Sequence, residues 1–228
     1  NINRRKFIEL FGCGCCGLIL PSCSTVPITK RRQLSIYPEA SINNSAAKAY
    51  ENFKSKNKLI TTGKQLDSII EIGNRIEFAV SNFFLKENGE DPTSNFQWDY
   101  ILVNNDKVKN AWCMPGGKIA VYTGILKITQ NDNALAAVMG HEIAHAVAKH
   151  SVERASQALT VNIGSQVADI FLGGAISKTR NTIGRSSGMD IFQLGIFNPF
   201  GRKQETEADY LGLIFSSLAG YDIREASK

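Results

Sequence analysis

Three side chains close together in the chain, His141, Glu142 and His145, have the types and spacing to hold a metal ion and activate water. Four residues make about one helical turn, so the two imidazoles share a face and can reach one ion. Glu142 lies one step round from His141, beside the ion rather than on it. From there its carboxylate can take a proton from water that the ion has acidified, the H-E-x-x-H arrangement of metal-assisted hydrolysis. Two imidazoles leave a catalytic zinc one protein ligand short. The chain has 3 histidines, and the third is His150. It follows His145 by five residues, about 140° round a continuous helix, so it is expected on the surface near the helix end. It also fails the longer pattern H-E-x-x-H-x-x-G-x-x-H, because Ala148 and Ser151 stand where Gly and His are required.

A carboxylate must then complete the set, and Glu205-Thr206-Glu207-Ala208-Asp209 offers two glutamates. Glu205 and Asp209 share a helical face, whereas Glu207 points about 200° away and has no comparable partner geometry. If Glu205 takes the ion, Asp209 can accept a hydrogen bond from the outer nitrogen of a ligating histidine and so fix its orientation. Without the histidine pair upstream, the same segment would read as a solvated acidic face.

These residues need rigid carriers. Asn133 to His150 reads as one helix, apolar nearly all round through Leu135, Val138, Ile143, Val147 and several alanines, hence buried. Placing imidazoles and a carboxylate inside it is costly unless something pairs with them, and an ion does. Helical spacing also marks Ser45 to Phe53 and Gln65 to Leu85, the latter with a stripe of Leu66, Ile69, Ile70, Ile76, Val80 and Phe84. Trp98 to Val103 and Lys118 to Thr123 read as strands. Between them, Asn110 to Gly117 carries Pro115, Gly116 and Gly117. That stretch is either a plain turn or an edge strand able to bind an extended peptide through its backbone, and the sequence favours neither. Ala155 to Ile176 continues as a second apolar helix. Residues 177–201 form a long Gly- and Ser-rich loop, expected to be a flap beside the cleft. A last helix runs from Lys203 to Ala219, with Gly220 as its stop. The expected class is α+β, mainly α, with a small β-sheet packed beside the histidine helix.

The chain of 228 residues is 43% apolar and 21% charged, enough for one domain with a real core, and its net charge of +5 is too mild to imply nucleic acid. Four of its 5 cysteines, Cys13, Cys15, Cys16 and Cys23, crowd the N-terminus, so no disulfide framework is expected. Residues 1–23 have the basic start, short apolar core and small-residue end of a secretion signal. Leu20-Pro21-Ser22-Cys23 resembles a bacterial lipobox, which would make Cys23 the lipidated first residue of the mature chain. Asn3 to Ile8 also resembles a twin-arginine export signal. Residues 24–44 are expected to form a tether, and 45–228 the catalytic domain.

Three blocks, Asn110–Leu126, Asn133–His150 and Arg202–Asp222, resemble in order those of the HtpX-like and type I CAAX-prenyl-protease-like zinc metalloendopeptidases. Within these gluzincins the resemblance is to periplasmic, lipoprotein-type bacterial members. It implies a zincin-like fold and one zinc ion held by His141, His145 and Glu205. Glu142 would be the general base, with Asp209 supporting a ligand. The strand after Gly117 would pair with the substrate backbone, through Gly116, Gly117, Lys118, Ile119 and Ala120. It further implies unfolded or misassembled envelope proteins as substrates and a lipid anchor on Cys23 in the envelope, the outer membrane more than the inner. Contact with the outer-membrane assembly machinery would fit. The rival expectation is an envelope chaperone or assembly factor that uses the same groove with little turnover.

Overall fold

In the computed structural model the chain is described over residues 23–36, 38–157 and 201–224. The signal segment up to Ser22, most of the apolar helix expected from Ala155 and nearly all of the 177–201 loop lie outside these residues.

Helix α1 (Glu39–Lys56) is followed by the two-residue strand β3 (Leu59–Ile60) and by the long helix α2 (Lys64–Asn88). The stripe on α2 does what its spacing predicts, with one exchange. Leu66, Ile69, Ile76, Val80 and Phe84 are buried in the main core, but Ile72 joins them there while Ile70 is only half-buried against it. The helix stops at Gly89, whose φ of 73° allows its amide to cap the Leu85 carbonyl.

Strands β4 (Asp99–Val103), β5 (Ala111–Met114) and β6 (Lys118–Tyr122) complete a sheet with β3 in the order β3-β4-β6-β5. β6 lies parallel to β4 on one side and antiparallel to β5 on the other. Met114 to Gly117 closes the β5–β6 hairpin, with Gly116 and Gly117 both left-handed at φ of 82° and 80°. The segment that read equally as a turn or an edge strand is both. β6 runs directly into a short helix, α3 (Thr123–Thr129), and then into α4 (Asp132–Val147), which is capped by the Asn131 side chain accepting from the Ala134 amide. The last described helix is α5 (Arg202–Leu218). The fold is α+β and mainly α, with the sheet edge β5 packed against α4.

Two expectations change here. The histidine helix does not run to His150. It ends at Val147, Lys149 adopts a left-handed φ of 57°, and the chain turns helical again over 150–157. The supposed tether over 24–44 is structured. Strands β1 (Cys23–Thr25) and β2 (Arg32–Leu34) form an antiparallel hairpin, and Val26 from its loop is fully buried in the main core. Prolines and polar residues made this stretch look like a linker, but Val26 and Ile28 give the loop an apolar foot that packs into the core. Among the described residues no helix is long and apolar enough to cross a membrane.

Candidate metal centre

α4 and α5 cross at two glycines. A Cβ on Gly212 would lie 2.6 Å from the His141 backbone nitrogen, and one on Gly140 would lie 2.3 Å from Ser216 Oγ. Only hydrogen fits between the helices at this point. On α5, Glu205, Asp209, Gly212 and Ser216 follow at spacings of four, three and four, one continuous face turned towards α4. Ser216 Oγ donates to the Ala136 carbonyl at 2.8 Å and holds the far side of the crossing. The close approach at Gly212 brings the two carboxylates one and two turns upstream against the imidazoles of α4.

The three expected ligands converge. His141 Nε2 and His145 Nε2 are 3.1 Å apart, Glu205 Oε2 is 3.5 Å from His141 Nε2, and Glu205 Oε1 is 3.8 Å from His145 Nε2. Tetrahedral ligand atoms about 2.1 Å from zinc would be about 3.4 Å from one another. Among the described residues, His141, His145 and Glu205 are the one grouping of three or more such side chains able to share an ion. The donor chemistry also fits. Burial first, then the neighbouring His150, His141 and Arg154, pushes His145 down to about 2, so its imidazole is neutral and has a lone pair to give. The Glu205 side chain is 44% exposed, so one side of the grouping stays open to solvent and substrate, as a catalytic site requires.

Asp209 Oδ1 lies 2.8 Å from His141 Nδ1, where it accepts the outer N–H once Nε2 faces the ion. Glu142 is half-buried beside the grouping. Burial above all, and the nearby Glu205, push its carboxyl up to about 8, partly offset by a hydrogen bond from the Cys113 amide. A dication at the ligand point would draw it back down. The same burial, with Glu142 as neighbour, pushes the Cys113 thiol well up and keeps it a neutral thiol.

The expected substrate strand needs correction. β6 has a hydrogen-bonded neighbour on each side, so Lys118, Ile119 and Ala120 have no free edge to offer. Gly116 and Gly117 are buried, and their carbonyls accept from the Gln97 and Asp99 amides at 2.9 and 3.1 Å. Among the described residues the open edge is β5. Tyr122 N–H donates to the Asn110 carbonyl, which sets the ladder so that Ala111 and Cys113 turn their backbone groups away from β6. Pro115 and the paired glycines signalled a strand end correctly, but the pairing edge lies before them.

His150 and Glu207 were misjudged for one shared reason. Because Lys149 reverses the chain, His150 is fully buried, with Nδ1 at 2.8 Å from His145 Nδ1 and Nε2 at 2.9 Å from Glu207 Oε2. Glu207 does point away from Glu205, but into this second buried site. Thr29 Oγ1 and Arg31 Nε donate to it, the latter at 2.7 Å. Arg31 also forms a two-pronged pair with Glu153 at 2.8 and 2.9 Å. No spacing rule could have found these contacts, since they depend on one left-handed residue and on a hairpin more than a hundred residues upstream.

Residues 79–228 match the model of Peptidase family M48. Curated relatives include the mitochondrial metalloendopeptidase OMA1 of Arabidopsis thaliana, 39% identical over 129 residues, which are 57% of this chain and 24% of that protein. OMA1 of Schizosaccharomyces pombe is 36% identical over 131 residues, 57% of this chain and 35% of that protein. The beta-barrel assembly-enhancing protease of Yersinia pestis is 29% identical over 126 residues, 54% and 25% of the two chains. The chain thus matches roughly a quarter to a third of the length of these relatives. With that match spanning strands β4 to β6, the histidine helix and the carboxylate helix, the chain belongs to peptidase family M48.

Proposed function

We propose that this chain is a zinc metalloendopeptidase in which His141, His145 and Glu205 hold the ion and Glu142 moves the proton. The observation that carries the reading is the convergence of two imidazole nitrogens and a glutamate carboxylate from a different helix, with Glu142 beside them. When bound, zinc supplies Lewis acidity to water and to the scissile carbonyl. Glu142 accepts the proton of the attacking water and delivers it to the departing amine. The amide of Cys113 keeps the carboxylate aimed, while partial burial raises its basicity. Asp209 holds the His141 ring at its outer nitrogen. An extended substrate adds to the edge of β5 through the backbone of Ala111 and the carbonyl of Cys113, whose amide serves Glu142, and this places its peptide bonds alongside α4.

Backbone pairing reads an extended, unfolded segment rather than a particular side chain, which suits a protease for unfolded or misassembled proteins. A bacterial relative named for enhancing β-barrel assembly supports envelope proteins as that class. Anchorage by lipid on Cys23, at the first residue of β1, would tie the domain to a membrane surface. The test is metal analysis of the purified chain alongside a casein digest with and without a chelator. One zinc per chain and chelator-sensitive cleavage are expected. Stoichiometric zinc without turnover would instead mark a groove-binding assembly factor and overturn the proposal.

A further inference from the structure

Among the described residues, one arrangement of protons satisfies the surroundings of His145 as a metal ligand, and it reaches back to the N-terminal hairpin. With Nε2 turned to the ion, Nδ1 carries the hydrogen and donates to His150 Nδ1 at 2.8 Å. His150 must then accept there and keep its own proton on Nε2, which donates to Glu207 Oε2 at 2.9 Å. A His150 protonated on both nitrogens would set two N–H groups face to face. Glu207 must therefore present an acceptor there, and the two groups that hold it, Thr29 Oγ1 and Arg31 Nε, both come from the hairpin loop. His145, His150 and Glu207 are all buried, so water does not substitute for a missing member.

We propose that the Thr29–Arg31 segment of the β1–β2 hairpin is a positioning element of the metal centre, setting the tautomer and rotation of His145 through Glu207 and His150. It rests on His145 being a metal ligand. A hairpin that merely packs on the domain would also use Arg31, but for its pair with Glu153, which touches Arg31 and Gln204 rather than His150. The two carboxylates on Arg31 thus separate positioning from packing.

The experiment uses the full chain with Arg31→Met, Glu207→Leu, Glu207→Gln and Glu153→Gln, each titrated for zinc against a chromophoric chelator. Each is also loaded with Co(II) for its visible spectrum, and thermal midpoints are recorded in parallel. Outer hydrogen-bond partners of ligating histidines are worth about 10- to 100-fold in metal affinity. The expected result is a loss of that size in Glu207→Leu and a smaller loss in Arg31→Met, with a shifted Co(II) spectrum in both. Glu207→Gln, which keeps an acceptor for His150, restores most of the affinity, and Glu153→Gln changes it less than about threefold. Equal zinc losses in Arg31→Met and Glu153→Gln, or an unshifted affinity in Arg31→Met, overturn the proposal while leaving the metal site intact. Failure of the unsubstituted chain to bind zinc overturns the metal site itself, and the proposal with it.

Discussion

Gly212→Ala tests whether the helix crossing builds the metal centre. By helix propensity alone the change should stabilise α5 by about 1 kcal/mol, since glycine is the poorer helix former. The crossing predicts the opposite sign. The new methyl would lie 2.6 Å from the His141 nitrogen, 2.7 Å from its Cα and 2.9 Å from the Gly140 carbonyl carbon. Carbon contacts settle near 3.5–4.0 Å, so the helices must part by about 1 Å. Overpacking of this kind costs about 1–3 kcal/mol, enough to outweigh the propensity gain and lower Tm by a few degrees. The effect on the ion should be larger. Glu205 and Asp209 ride on α5 and the imidazoles on α4, while metal–ligand distances tolerate only about 0.2 Å. Zinc affinity should therefore fall at least roughly 100-fold, beyond what loss of an outer hydrogen-bond partner produces. Chelator competition and calorimetry on the same preparation measure both quantities. A variant that melts lower but binds zinc like the parent would refute the idea that this crossing sets the ligand spacing.

Glu142→Gln should keep zinc binding and lower kcat by about 100-fold or more, since general base assistance is typically worth 10²–10⁴-fold; measurable wild-type turnover in that variant would remove Glu142 from its role. Edge pairing with β5 predicts that single N-methyl groups walked along a peptide substrate block cleavage with a period of two, because alternate amides face the strand; a uniform effect would count against it. On acidification the metal-free fold should weaken. Burial above all pushes His145 down to about 2, so it stays neutral in the fold while the unfolded chain protonates it below about 6.5, and burial lowers His150 in the same direction. The depressed His145 thus withdraws stability as pH falls, by up to about 1.4 kcal/mol per pH unit, and His150 adds to the loss in the same sense. Thermal scans of chelator-treated protein from pH 7.5 to 5 check this, and a Tm independent of pH over that range would contradict it.

How far the sequence reaches depends on whether an interaction is carried by one helix or by the route between elements. The pair His141/His145, the face shared by Glu205 and Asp209, and the α2 stripe are all set by helical period within one element, and all stand where the period puts them. The approach of α5 to α4 was equally present in the letters, as Gly140 and Gly212, but a glycine inside a helix does not say which helix it faces. Strand polarity was less accessible. Pro115-Gly116-Gly117 marks the end of an edge strand, yet only the ladder shows that Ala111 and Cys113, and not Lys118 to Ala120, turn their backbone away from the sheet. His150 lay beyond reach, because the argument that sent it to the surface assumed a continuous helix and Lys149 breaks it at φ 57°.

The two histidines of the proposed metal centre are therefore supported unequally, and the difference has a measurable sign. Asp209 beside His141 is 68% exposed, whereas the side chains of His145 and His150 are 2% and 0% exposed. In Asp209→Ala, water can take over the His141 Nδ1–H, so only the net value of one hydrogen bond is lost, about 0.5–1.5 kcal/mol. His150→Leu removes the acceptor of His145 where solvent does not reach, which forfeits about 1–3 kcal/mol for the stranded donor and lets the ring turn. Zinc affinity should therefore fall by no more than about tenfold in the first variant and by several times more in the second, with the same order in both the zinc and Co(II) forms. The reverse order would mean that the open carboxylate, and not the buried pair of imidazoles, governs how the metal is held.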